Sequence, residues 1–293
     1  MEALPIRVSE LSIAGTEYAK IQNKIQTAES LAERLTECLA IVRHELLAEL
    51  PLPRLAALFA EFQTDSPRNP LDKNEPAGLT LSPGRGATLG IELSSGRELV
   101  ARRFRRGGFV RHFFQDLFFL SPAETLSATR PVAELRILSI LRAGDLSVPL
   151  PIACYATRVG RWGYRGMIVT ERVPETTNLL SLLRLSAGGP SKEQLNAILE
   201  QVGVQAGVTV SLGICHRDLH LGNVLVSHSG EVTLIDFDKA ALLVRPAERE
   251  AADRFLQNRF ERSARKHRLD WTIAPFLSGY RKGRASRGEL WQK

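Results

Sequence analysis

Two short stretches hold the side chains best suited to chemistry. One reads Cys215-His216-Arg217-Asp218-Leu219-His220-Leu221-Gly222-Asn223, and the other Asp236-Phe237-Asp238-Lys239. Asp218 and Asn223 are five residues apart on what reads as one loop, and Asp236 follows Asn223 by thirteen, at the close of a hairpin strand. That spacing can bring an acid, an amide oxygen and a second acid around one metal site. Phosphoryl transfer from ATP asks for such a set. A carboxylate orients the attacking hydroxyl and accepts its proton, oxygen ligands hold Mg²⁺ against the phosphates, and a cation pins the nucleotide.

The first stretch resembles the catalytic loop of the protein-kinase-like superfamily, H-R-D-L-x-x-x-N, and the second its metal loop, D-F-G. The resemblance implies Asp218 as the catalytic base and Asn223 and Asp236 as Mg²⁺ ligands. Three departures point away from protein substrates. Asp238 stands where the family has glycine, so the backbone freedom of glycine is missing there. A long activation segment ending in A-P-E is absent. His220 stands where protein-serine/threonine kinases carry lysine, a form similar to kinases of small molecules, sugars and lipids. Two roles stay open for His220, contact with a phosphate or the metal loop, and a hydrogen bond that shapes its own loop.

These loops need strands and helices to place them. Residues 79–104 read as three strands with glycine turns, and Gly84-Arg85-Gly86 lies between the first two. Free N–H groups at Gly84 and Gly86 can close over ATP phosphates. The third strand, RELVARRF, has no lysine, so Arg102 and Arg103 are the candidates for the phosphate-pairing cation. Strand alternation puts Val100 and Arg102 on one face, which favours Arg102. Its expected partner is Glu134, on a helix over about 131–143. Two further strands follow, PLPIACYATRV and YRGMIVTERV, and the second carries Glu171 near its end. In kinase-like folds that place adjoins adenine, and the alternative is an ordinary charge at a strand end. Helices over 178–185 and 192–212, a hairpin turning at His228-Ser229-Gly230, and a helical basic tail complete the pattern. A strand-rich half before a helix-rich half predicts a two-lobed α+β fold, with an N-lobe over 78–172 and a C-lobe over 173–293.

Ahead of these lies a segment with a different rhythm. Ile21, Ile25, Ala28, Ala32, Leu35, Leu39, Val42 and Leu46 recur at alternating four- and three-residue steps. The spacing predicts a long helix ended by Pro51 and Pro53, packed on the main domain or serving as a dimerisation arm. Residues 64–77, rich in Pro, Asn and Asp, read as a linker. Residues 1–70 are thus expected to be a helical extension and linker.

Composition narrows the class further. Three scattered cysteines with no CxxC pair argue against a disulfide framework or zinc site and for a reducing compartment. Cys215 reads as a small buried residue rather than a nucleophile. No apolar run reaches the length of a membrane span, and the first residues, MEALPIRVSE, do not read as a signal peptide. A formal net charge of +7 favours anionic partners.

The stretch GRGATLG…ELVARRFRRGGFVRHFF…AELRIL…VPLPIA…YRGMIVTERV…HRDLHLGNVLV…LIDFDKA is similar to one family in particular, the lipopolysaccharide kinases of Gram-negative bacteria and, within them, the 3-deoxy-D-manno-octulosonic acid (Kdo) kinases. The similarity covers about residues 80–285. It implies phosphorylation by ATP of a Kdo hydroxyl on a lipid A precursor, as a peripheral protein at the cytoplasmic face of the inner membrane. Arg102, Arg103, Arg105, Arg106 and Arg111 interleave with Phe104, Phe109, Phe113 and Phe114, which suits an anionic glycolipid. Arg259, Arg262, Arg265, Lys266 and Arg268 add attraction to the anionic membrane surface. No nucleic-acid partner is expected, because the kinase motifs already account for the charge. A heptose or other small-molecule kinase of the same fold is the alternative enzyme. An inactive kinase-like protein that binds lipid or a partner is the alternative from another class.

Overall fold

A computed structural model describes residues 7–27, 34–61, 79–83, 88–105, 116–185, 189–267 and 273–286. The chain divides into two compact units. One holds Met1–Ser139 with Leu150–Arg172, and the other Ile140–Pro149 with Val173–Lys293. Helices and antiparallel strands mix throughout, and the fold is α+β.

The first unit is a sheet with a helix on each face. Its strands are β1 (Arg7–Ile13), β2 (Thr16–Thr27), β3 (Arg34–Arg43), β4 (Leu79–Pro83), β5 (Thr88–Leu93), β6 (Glu98–Arg103), β7 (Phe118–Phe119), β8 (Pro151–Val159) and β9 (Gly163–Glu171). Among the described residues their order is β1-β2-β3-β8-β9-β6-β5-β4, with β7 paired to β9. Helix α1 (Leu52–Glu61) lays Leu55, Leu58 and Phe59 on one face, against Ile21, Ala40, Val42, Ala101, Tyr155 and Val169. Helix α2 (Arg130–Ala143) lies on the other face. The Tyr18 hydroxyl there meets the Ser139 hydroxyl at 2.8 Å, and Pro131 packs so close to Gly166 that a β-carbon on Gly166 would strike it.

Among the described residues, the long helix expected over residues 21–46 does not form. Residues 21–27 lie in β2 and 34–43 in β3, and these strands pair with each other and, through Cys38↔Thr157 to Val42↔Ala153, with β8. The extension is therefore a continuation of the sheet, and α1 begins where the helix was expected to stop. The physical reason lies in Cys38-Leu39-Ala40-Ile41-Val42, all buried. An unbroken apolar run that is covered on both faces is the mark of an inner strand, and β-branched Ile41 and Val42 fit a pleat better than a helix. Ala14 and Gly15, at φ 50° and 77°, form the two-residue hairpin turn between β1 and β2.

In the second unit, α4 (Lys192–Ser211) starts at a Ser191 cap, whose hydroxyl accepts from the Gln194 N–H while the Gln194 side chain accepts from the Ser191 N–H. It packs on α6 (Ala274–Ala285) through Gly203 and Gly207 of α4 and Gly279 and Gly283 of α6. At all four, an added β-carbon would strike the facing backbone. Tyr280 and Arg284 of α6 bond Asp253 of α5 (Pro246–Lys266) at 2.5 and 2.8 Å. The remaining elements are β10 (Thr176–Asn178), α3 (Leu179–Leu182), β11 (Ile214–Cys215), β12 (Val224–Ser227), β13 (Val232–Leu234) and β14 (Ala241–Leu242). Strands β12 and β13 form the expected hairpin, with Gly230 at φ 84° in its turn.

Candidate active site

Within the second unit, the loop from Cys215 to Asn223 is held by the hairpin that follows it. Val224 pairs with Leu234, and the Ile235 N–H continues the ladder to the Asn223 carbonyl at 3.1 Å. Asn223 and Asp236 are thereby brought to the same end of the hairpin. His216 fastens the loop from beneath. Its Nε2 donates to the Ile235 carbonyl (3.0 Å), its Nδ1 accepts from the Asp218 N–H (3.3 Å), and its ring lies 4.3 Å from that of buried Phe237. Burial lowers the His216 pKa to about 4, so the ring is neutral, as this pair of bonds requires.

Asn223 donates from Nδ2 to the Asp218 carbonyl at 3.0 Å, which tethers the two ends of the loop. His220 takes the loop-shaping role left open above. Its Nδ1 accepts from the Gly222 N–H at 3.0 Å and caps the turn over Leu221–Asn223. Asp236 sits at φ 67°, in the left-handed region that aspartate tolerates better than most residues.

Asp218 itself is buried, and cations meet both of its oxygens. Lys239 Nζ donates to Oδ2 at 2.6 Å, and Arg259 Nη2 donates to Oδ1. Burial pushes the Asp218 carboxyl upward, but the bonds and charges of Lys239 and Arg259 outweigh it, and the net direction is down. Sequence reasoning missed both residues. Lys239 belongs to the same motif as Asp236, three residues on, which was the available signal. Arg259 lies in the basic tail that the sequence assigns to attraction toward an anionic membrane. Instead α5 turns it onto Asp218, while Ser263, one turn later, accepts from the Leu221 N–H at 3.2 Å.

The first unit brings Arg102 and Glu134 together. One nitrogen, Arg102 Nη2, lies 2.7 and 2.5 Å from the two carboxylate oxygens of buried Glu134. Arg103, the other candidate, bonds Asp116, which also pairs with Arg165 at 3.0 Å. Glu171 closes β9 with its carboxylate 3.0 Å from Arg97 Nη2, and its N–H is spent on the Leu150 carbonyl at 2.9 Å. Gly84, Gly86 and the arginine-rich stretch from Arg106 through Phe114 lie outside the described residues. All three cysteines are free and buried, and burial raises Cys215 to about 11, so it is a packing residue.

An amide oxygen and a carboxylate are hard donors. Among the described residues, no group of three or more His, Cys, Asp or Glu side chains could hold a metal by itself. Mg²⁺ commonly takes one or two carboxylates and completes its shell with substrate phosphates and water, and the Asn223–Asp236 pair fits that habit.

Residues 81–280 match the family model described as the lipopolysaccharide kinase (Kdo/WaaP) family, and the chain belongs to that family. It is a phosphotransferase that acts on a hydroxyl of a lipopolysaccharide-related acceptor and uses ATP. The 3-deoxy-D-manno-octulosonic acid kinase of Vibrio vulnificus (strain YJ016) is 32% identical over 202 residues, 67% of this chain and 80% of that protein. That of Xylella fastidiosa (strain 9a5c) is 34% identical over 161 residues, 55% of this chain and 60% of that protein. A solved structure of WaaP in complex with acyl carrier protein aligns with a TM-score of 0.45 at 17% identity, covering 69% of this chain and 78% of that one.

Proposed function

We propose that this protein phosphorylates a Kdo hydroxyl on a lipid A precursor, with Mg²⁺ and ATP, at the cytoplasmic face of the inner membrane. The observation that carries the acceptor is the 32% identity to a Kdo kinase across 80% of that relative's length. ATP with Mg²⁺, when bound, supplies the γ-phosphoryl group and neutralises its developing charge. Asp218 orients the acceptor hydroxyl and takes its proton as the new oxygen–phosphorus bond forms and the bond to ADP breaks. Asn223, through its amide oxygen, and Asp236 hold the metal. Arg102 pins the nucleotide phosphates, and Glu134 fixes the direction of its guanidinium. Gly84 and Gly86 give backbone N–H groups to the phosphates. Glu171 flanks the adenine without lending it an N–H, since that donor is engaged by Leu150.

Attachment to the membrane would be from its surface, and no described helix is long and apolar enough to cross it. What supports contact with an anionic bilayer is a pair of exposed aromatics on the first unit. Phe119 and Trp162 are 64% and 53% accessible and stack at 5.8 Å, and the Arg161 guanidinium lies 5.7 Å from the Trp162 ring. Aromatic rings beside arginine suit the headgroup layer.

The test is a set of acceptors offered with labelled ATP: Kdo-bearing lipid A precursor, a heptosylated acceptor, and lipid A precursor without Kdo. Label on the first alone is expected. Label on the heptosylated acceptor alone refutes the Kdo assignment.

A further inference from the structure

Lys239 and Arg259 have no part in the roles assigned so far, yet they engage both oxygens of the residue expected to act as base. A carboxylate with a cation on each oxygen is a weakened proton acceptor, because both charge-assisted bonds stabilise its ionised form, and its net pKa direction is down. The two cations arrive from different elements. Lys239 stands on the bend after Phe237, and Arg259 on α5, where the Ser263–Leu221 bond fixes the helix against the loop. Both keep a face to solvent, with side chains 54% and 36% accessible. A point charge and a planar fork converging on one spot make an anion site, filled here by the protein's own carboxylate. His220 is turned into its own loop by the Gly222 bond and burial lowers its pKa, so it adds little charge.

We propose that Lys239 and Arg259 form an anion subsite for the acceptor, which takes a carboxylate or phosphate group neighbouring the reacting hydroxyl. As that anion docks, the cations turn from Asp218 to it, and the freed oxygen of Asp218 meets the hydroxyl. A neutral sugar leaves Asp218 capped, so the subsite selects acidic acceptors. The inference rests on Asp218 being the base.

Binding of two probes, Kdo and its methyl ester, is measured by calorimetry on the full-length wild type and on Lys239→Gln and Arg259→Gln. Thermal melts establish that each variant is folded, and Lys239→Arg serves as the conservative replacement. Wild type is expected to prefer the acid by about 10- to 100-fold, the size of one or two charge-assisted hydrogen bonds. Either glutamine variant should cut that preference about 10-fold, Lys239→Arg should restore most of it, and affinity for a fluorescent ATP analogue should not change. Wild type without an acid-over-ester preference overturns the proposal, as does a preference that survives both variants. Weakened nucleotide binding with the acid-to-ester ratio intact also overturns it, placing the cations on ATP phosphates. Lys239-dependent acid preference in a protein that phosphorylates no Kdo acceptor upholds the subsite and sinks the Kdo reading instead.

Discussion

Replacing Arg102 tests an ion pair that links strand β6 to helix α2. The Glu134 side chain is 4% accessible and that of Arg102 25%. Arg102→Met keeps an apolar stem but removes the guanidinium, which lies 4.9 Å over the Phe104 ring and pairs with the buried Glu134 carboxylate. Breaking a buried pair from one side costs about 3–5 kcal/mol, and the partial exposure of Arg102 places this site near about 3. Glu134→Gln leaves an arginine that can turn to water, at a cost of about 1 kcal/mol. The double variant removes both charges, so it should cost about 2 kcal/mol rather than the sum, giving a coupling near 2. Arg102→Lys keeps a cation within reach of the Glu134 carboxylate and should cost less than Arg102→Met. Urea unfolding followed by far-ultraviolet circular dichroism measures all four. An Arg102→Met cost below about 0.5 kcal/mol, or strict additivity in the double variant, would refute the reasoning.

Other consequences follow from the same structure. His216 is held neutral, with its pKa lowered from 6.5 to about 4, so the unfolded chain binds the extra proton first as pH falls. Stability should therefore be complete above pH 6.5 and decline toward pH 4, by about 3 kcal/mol at 1.36 kcal/mol for each unit of pKa. Urea midpoints taken without Mg²⁺ at pH 7 and pH 5 should differ in the wild type and differ less in His216→Asn. Gly279→Ala would drive a methyl group into the Glu200 carbonyl, and a loss of about 1–3 kcal/mol or more is expected in thermal melts. Removing residues 1–43 strips β3 from β8 and exposes an apolar strand edge. The truncated chain should be insoluble, or show fast amide exchange over residues 151–159. Unchanged solubility and exchange would restore the idea of an independent extension.

Much of the machinery was legible because it is local in sequence. The loop from Cys215 to Asn223, the hairpin and the Asp236-Phe237-Asp238 stretch are contiguous, so motif and spacing were enough to place Asn223 and Asp236 at one end of a hairpin. The family resemblance called for a strand cation paired with a helix carboxylate, and strand alternation chose Arg102 and helix position Glu134. What stayed hidden depended on tertiary partners. The four-three spacing from Ile21 to Leu46 is compatible with a helix, and only the β8 edge makes two strands the better burial of Cys38–Val42. Arg259 is 41 residues from Asp218, and its role comes from how α5 packs on the loop. The glycines of α4 and α6 carried no signal apart, because each matters only for the backbone it faces.

The central claim is that Asp218 is the base of a Kdo-phosphorylating enzyme. Its most direct test is single-turnover transfer of the γ-phosphate of ATP to a Kdo-bearing lipid A precursor by wild type and by Asp218→Asn, with nucleotide binding measured in parallel. The account predicts transfer by the wild type and a loss of at least about 100-fold in the variant, with nucleotide affinity retained. Transfer by Asp218→Asn at the wild-type rate would contradict it.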